Sequence, residues 1–166
     1  MGCDIFHARA VERVCQYKKI DPKKANLSFI CYDLSHIAEY AKVNNDVFKL
    51  MKKNLPGPFT FILNATSNLP KLFRNKKTVG IRVPDNNVIR EIVRTLGNPI
   101  LSTSVRDDND DVLEYYTDPE LMDEKLSHFV DCVINSGYGS LEPSTVVDCT
   151  GDEPVIVRQG KGILEY

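Results

Sequence analysis

The residues of this chain that could do chemistry are hydroxyls and arginines at the ends of apolar, strand-like runs. In PILSTSVRDDNDD (99–111) an apolar run gives way to Ser102, Thr103 and Ser104, then to Arg106 and a block of acid. If this is a strand, Ser102 and Ser104 lie on one face. Hydroxyls and backbone N–H groups at a strand end can hold phosphate or carboxylate. Alternatively, they satisfy local backbone groups.

Two earlier strand-like runs carry isolated polar residues. In GIRVPDN, Arg82 lies between Ile81 and Val83, so alternation places it on the opposite face. An arginine in an apolar strand needs an anionic partner or a route to solvent, which leaves a buried ion pair or an anion site. Thr60 in FTFILNA is either a β-branched core residue or a hydroxyl that lines a pocket.

The C-terminal region predicts an antiparallel hairpin, because only a short turn separates TVVDCT (145–150) from PVIVRQG (154–160). Ser144 and Thr145 open its first strand, and Arg158 closes its second. These ends should lie close together, and an arginine with two hydroxyls suits a phosphate.

Several other chemistries have no support in the sequence. The chain contains no HExxH, P-loop or GxGxxG motif and no Ser-His-Asp order. Its five cysteines form no CxxC pair and its three histidines are scattered, so neither a disulfide framework nor a protein-ligated metal is expected. Reduced, mostly buried cysteines indicate a cytoplasmic protein.

Charge is distributed unevenly along the chain, although the net charge is only −2. Residues 1–106 carry a net +10 and residues 107–166 a net −12. Lysine pairs at Lys23–Lys24 and Lys52–Lys53 favour contact with a phosphate backbone. Solvated surface charge is the alternative.

The elements that must position these residues alternate between strands and helices. Strand-like runs occur at 27–33, 59–65, 78–83, 99–105, 130–137, 145–150 and 154–160. Helical patterns occur at 8–18, 33–43, 44–54, 86–98 and 117–129. The order predicts one α/β domain over residues 1–166, with a mixed sheet and helices on its faces. No apolar run reaches the length of a membrane span.

The quoted stretches, taken together, resemble the YrdC/YciO family. The resemblance covers essentially the whole chain, in GCDIFHARAVERV, NLSFICYDLS, LPGPFTFILNA, TVGIRVPDN, PILSTS, PSTVVD and VIVRQGKG. It implies a twisted open α/β sheet with a basic concave surface that binds nucleotide and double-stranded or transfer RNA. Family enzymes of the YrdC type join L-threonine, bicarbonate and ATP into threonylcarbamoyl-AMP and pyrophosphate, the first step of a transfer-RNA modification.

The chain departs from the family pattern in ways that resemble the YciO branch. About forty residues normally precede GCD, so we expect the first part of the domain to be missing. The KxR motif reads Lys18-Lys19-Ile20 and the SxN motif reads Ser104-Val105-Arg106. Isoleucine cannot donate a hydrogen bond to an anion, and arginine lacks the acceptor of asparagine.

The resemblance therefore implies a YciO-type protein that binds nucleotide and RNA, with ATP, alone or with Mg²⁺, as ligand or substrate. A true threonylcarbamoyl-AMP synthase, with L-threonine as a further partner, and a non-catalytic RNA-binding module are the alternatives. The expected nucleotide or anion ligands are Lys18, Thr60, Arg82, Ser102, Ser104, Arg106, Ser144, Thr145 and Arg158. The expected RNA contacts are Lys23, Lys24, Lys52 and Lys53.

Overall fold

The computed structural model describes residues 1–21, 27–105 and 116–166. Its helices are α1 (Ala8–Tyr17), α2 (Ile37–Tyr40), α3 (Asn45–Asn54), α4 (Asn87–Leu96) and α5 (Pro119–Leu126), with a 3-10 turn at Lys71–Phe73. Its strands are β1 (Gly2–Asp4), β2 (Ser28–Ile30), β3 (Ala41–Lys42), β4 (Phe59–Ala65), β5 (Thr78–Arg82), β6 (Ile100–Ser102), β7 (Thr145–Asp148) and β8 (Val155–Arg158).

The chain divides into two compact units. The first unit, residues 1–103 with 144–166, contains the sheet and α1 to α4. The second unit, residues 104–143, contains α5, which begins at an Asp118 cap followed by Pro119. The expectation of a single domain over the whole chain stays a prediction.

The sheet of the first unit is open and mixed, as predicted. Its strand order is β1-β6-β2-β5-β4-β7-β8, and β3 pairs with β4. The β2–β5 and β4–β7 pairs are parallel and the others are antiparallel. The predicted C-terminal hairpin is therefore confirmed as β7 and β8.

One face of the sheet carries the main hydrophobic core, and we call it the packed face. Phe61 of β4, Ile81 of β5, Leu101 of β6 and Val147 of β7 are fully buried there. Side chains of α1 and α3 join the same cluster, among them Val11, Cys15, Leu50 and Met51. This burial is the dominant favourable term for the fold.

Sequence signals at the helix ends predicted α3 and α4 well. The side chains of Asn44 and Asn86 accept the backbone N–H groups of Val47 and Ile89, at 2.8 and 3.1 Å. Gly97 ends α4 in the left-handed conformation, with φ of 81°.

Two predicted elements were wrong. The helix predicted at 33–43 is confined to Ile37–Tyr40. It does not begin earlier because Asp33 accepts the Ser35 N–H in a tight turn. It does not continue because Ala41 and Lys42 pair with β4 as strand β3. Residues 130–137 form no strand, because Asn135 accepts the N–H of Gly137, whose φ is 88°.

Candidate functional site

The side of the sheet opposite the packed face, which we call the polar face, carries small and polar residues. Alternation along each strand turns Ser28, Thr60, Gly80, Arg82 and Ser102 away from their buried neighbours. Helix α4 covers only one part of this face, where Val93 packs with Ile30 and Ile100. Within the described part of the first unit, these polar residues therefore lie outside the main hydrophobic cluster of the packed face.

At the centre of the polar face, small residues of β2, β5 and β6 lie directly opposite one another. Ser28 lies opposite both Gly80 and Ser102. The hydroxyls of Ser28 and Ser102 are 3.0 Å apart, and the Ser102 hydroxyl donates to the Ser28 carbonyl at 3.2 Å. A Cβ at position 80 would lie 3.2 Å from Ser28 Cβ and 3.3 Å from Thr60 Cγ2. Glycine at position 80 therefore lets the neighbouring hydroxyl residues sit close together.

A second group of polar side chains joins β4, the start of β7 and β8. Thr60 Oγ1 and Ser144 Oγ are 2.9 Å apart. The guanidinium of Arg158 donates to the Ser144 carbonyl from Nη2 at 2.8 Å and from Nε at 3.2 Å. Arg158 Nη2 also lies 3.4 Å from the Ser144 hydroxyl. Of the two hydroxyl residues predicted to converge with Arg158, Ser144 therefore lies beside it, whereas the hydroxyl of Thr145 bonds to the Gly162 carbonyl.

Arg82 carries a buried hydrogen-bond donor that lacks an acceptor among the described residues. Its Nε is buried and has no hydrogen-bond partner within residues 1–21, 27–105 and 116–166. Burial, and secondarily the positive charge of Arg158, lower the pKa of Arg82. A buried guanidinium donor without an acceptor costs stability.

Lys18 follows α1 as its C-terminal cap residue and is half-buried. The pKa of the Met1 amino group is lowered first by burial and then by the charges of Arg82 and Lys18. The Met1 nitrogen donates to the Thr103 carbonyl at 3.1 Å.

Other predicted ligands lie elsewhere. Thr145 is fully buried and its hydroxyl donates to the Gly162 carbonyl at 2.6 Å, so it holds the C-terminal segment. Ser104 is exposed and begins the second unit, and Arg106 lies outside the described residues. A role for either in anion binding stays a prediction.

The predicted RNA contacts are Lys52 and Lys53 in the last turn of α3, together with Lys23 and Lys24, which lie outside the described residues. Lys52 and Lys53 are exposed. The ammonium of Lys53 donates to the backbone carbonyl of Tyr166. RNA contact by these lysines stays a prediction.

Sequence reasoning missed Ser28. It begins a three-residue strand whose next two residues are buried and apolar. From the sequence it therefore looks like the polar residue before a core strand rather than part of a site. The signal that could have found it is the alignment of small residues across strands, but register cannot be read from a single strand.

Two features of the described residues bear on other functions. No group of three His, Cys, Asp or Glu side chains is placed to hold a metal ion in those parts of the chain. None of the described helices has the length and apolar content needed to cross a membrane.

Known proteins resemble this chain over almost its whole length. The sequence pattern of the Sua5/YciO/YrdC family, described as "Telomere recombination", matches residues 1–160. "Uncharacterized protein YciO" of Escherichia coli is 40% identical over 164 residues, which are 98% of this chain and 78% of that protein. A Methanocaldococcus jannaschii protein, provisionally named a threonylcarbamoyl-AMP synthase, is 31% identical over 161 residues, 96% of this chain and 74% of its own.

Solved structures show the same fold. The crystal structure of E. coli YciO superimposes with a TM-score of 0.85 and covers 98% of this chain and 78% of its own. P. abyssi Sua5 complexed with L-threonine gives a TM-score of 0.82 at 23% identity, over 96% of this chain and 46% of that one.

Proposed function

The chain belongs to the Sua5/YciO/YrdC family, and on that premise we propose that its polar face binds the polyphosphate of a nucleotide such as ATP. The observation that carries this proposal is the buried Nε of Arg82, which has no acceptor within the described residues. An anion at this point would satisfy the donor and offset the cost of burying the charge.

The spacing of the arginines favours an elongated anion over a single carboxylate. Arg82 ends β5 and Arg158 ends β8, with β4 and β7 between them. Three strand spacings correspond to about 14 Å between the two backbones. A chain of phosphates could bridge such a separation with the help of long arginine side chains. Thr60 on β4 and Ser144 just before β7 carry hydroxyls on the strands between the two arginines.

Removing one of the charged ligands tests this proposal. We expect Arg158→Ala to weaken ATP binding about tenfold or more, as the loss of one charge-assisted hydrogen bond implies. The measurement is isothermal titration calorimetry. Lys161→Ala is the matched control, because it removes an exposed cation just past the same strand and should leave the affinity unchanged. Equal affinities for wild type and Arg158→Ala would refute the proposal.

A second candidate function is threonylcarbamoyl-AMP synthesis. It is favoured by the provisional name of the M. jannaschii relative, which is 31% identical to this chain. Ile20 argues against it, because isoleucine stands where the family enzymes carry the arginine of KxR and cannot orient an anion. The test is pyrophosphate release from ATP in the presence of bicarbonate, with and without L-threonine. Release that does not depend on threonine rejects this function while leaving nucleotide binding intact.

A further inference from the structure

The outer edge of the sheet at β8 is the most exposed apolar strand in the described chain. Val155, Ile156 and Val157 are consecutive β-branched residues with 59%, 39% and 59% of their surface exposed. β8 pairs with β7 on one side, and no strand in the described residues pairs with its other side. An apolar edge of this kind presents free N–H and C=O groups to another strand.

Charges on either side of these apolar residues restrict what that strand can be. Asp152 and Glu153 precede β8, and Arg158 and Lys161 lie at and beyond its end. A two-fold axis near Ile156 would place the acidic end of one strand beside the basic end of an identical antiparallel strand. Parallel pairing would instead bring like charges together, which is unfavourable.

We propose that β8 pairs antiparallel with β8 of a second copy of this chain, so that two sheets join across a two-fold axis. The pairing is short, because Pro154 lacks an N–H group and a bulge interrupts the β7–β8 register between Val146 and Val147. The buried area is then below about 1,200 Å² in total, the range of weak and transient interfaces. The association should accordingly depend on concentration and weaken with salt.

Sedimentation velocity over a series of protein concentrations tests the proposal. The wild-type chain should shift from monomer to dimer as its concentration rises. Val157→Lys should stay monomeric, because it places like charges at the centre of the pairing, and its exposed site leaves folding intact. Ile163→Lys is the matched control: its side chain is 84% exposed outside β8, so it should dimerise as wild type does. A wild-type chain that stays monomeric, or a Val157→Lys variant that still dimerises, overturns the proposal.

Charge-reversal variants test the antiparallel arrangement. Because a mixture of two variants should recover the dimer, the test also shows that neither variant has simply failed to fold. Glu153→Lys and Lys161→Glu should each be monomeric alone, because like charges then meet at the interface. A mixture of the two variants should form a heterodimer, since each restores an opposite charge to the other. If the mixture stays monomeric, antiparallel pairing is refuted. Nucleotide binding is not part of this readout, so failure here leaves the proposed function untouched.

Discussion

The two faces of the same sheet differ in what their residues contribute. The packed face buries Phe61, Ile81 and Val147 completely within the main hydrophobic cluster, which includes side chains of α1 and α3. The polar face keeps Arg82 half-buried with a donor that lacks an acceptor among the described residues. The comparison teaches that the packed face accounts for the stability of this fold. The polar face retains a buried donor that reduces stability, and under the proposed function an anion would satisfy it.

Substitutions on the two faces should differ most in how much they lower the free energy of unfolding. Phe61→Ala should lower the free energy of unfolding by about 3–5 kcal/mol, because it removes a fully buried ring and leaves a cavity. Thr60→Ala, on the adjacent residue but the other face, should cost no more than about 1.5 kcal/mol for one hydrogen bond. Urea denaturation of both variants gives the two values. Equal losses would contradict the distinction between the faces.

The next effect has the opposite sign. Arg82→Met should raise the free energy of unfolding of the ligand-free protein by about 1–3 kcal/mol, because it removes a buried donor that has no acceptor in the described chain. The same variant should bind ATP more weakly than wild type by a factor of ten or more.

Arg158→Met is the control for this change. Arg158 is exposed and already bonded to the Ser144 carbonyl, so its removal should weaken ATP binding without any gain in stability. A loss of stability in Arg82→Met would mean that Arg82 is a structural residue rather than one reserved for a ligand.

The third effect is a pH dependence of the free energy of unfolding that comes from a thiol buried on the packed face. Burial, and then the charge of Asp33, raise the pKa of Cys31 to about 12. The thiol therefore stays protonated in the folded chain while it ionises near 8.5 when unfolded. The unfolded state holds fewer protons above that value, so stability falls as pH rises towards 12. From pH 7.5 to 9.5 this thiol should cost about 1.4 kcal/mol.

Comparing how the unfolding free energy changes with pH in wild type and in variants separates the contribution of this thiol from that of the other titrating groups. The change in unfolding free energy between the two pH values should be smaller by that amount in Cys31→Ala than in wild type. Cys132→Ala, at an exposed position, should keep the wild-type slope. An unchanged slope in Cys31→Ala would mean that the thiol reaches solvent.

The smallest effect is expected at the centre of the polar face. Ser28→Ala removes one hydroxyl of the Ser28–Ser102 pair and should cost about 0.5–1.5 kcal/mol of stability. If this pair also contacts the ligand, the affinity for ATP should fall less than with Arg158→Ala. Calorimetry on both variants gives the ranking, and a larger loss for Ser28→Ala would move the centre of the binding site from the arginines to the serines.

Thr60 and Thr145 show how far the sequence could predict the site. Both are threonines in apolar strands and both were predicted as ligand groups. The structure turns Thr60 to the polar face beside Ser144, whereas Thr145 faces the core and bonds to the Gly162 carbonyl. Alternation predicts that neighbours point to opposite faces. It does not predict which face the rest of the chain will cover.

The sequence by itself determined the helices with strong caps, the antiparallel hairpin and the family, because these depend on local backbone preferences and on motifs in a constant order. Only the tertiary structure decided that Ser28, Gly80 and Ser102 line up across three strands and that Arg82 lacks an acceptor in the described chain. Those facts depend on strand register and on which face the helices cover. Both are set by contacts between residues far apart in the chain, which no local pattern encodes.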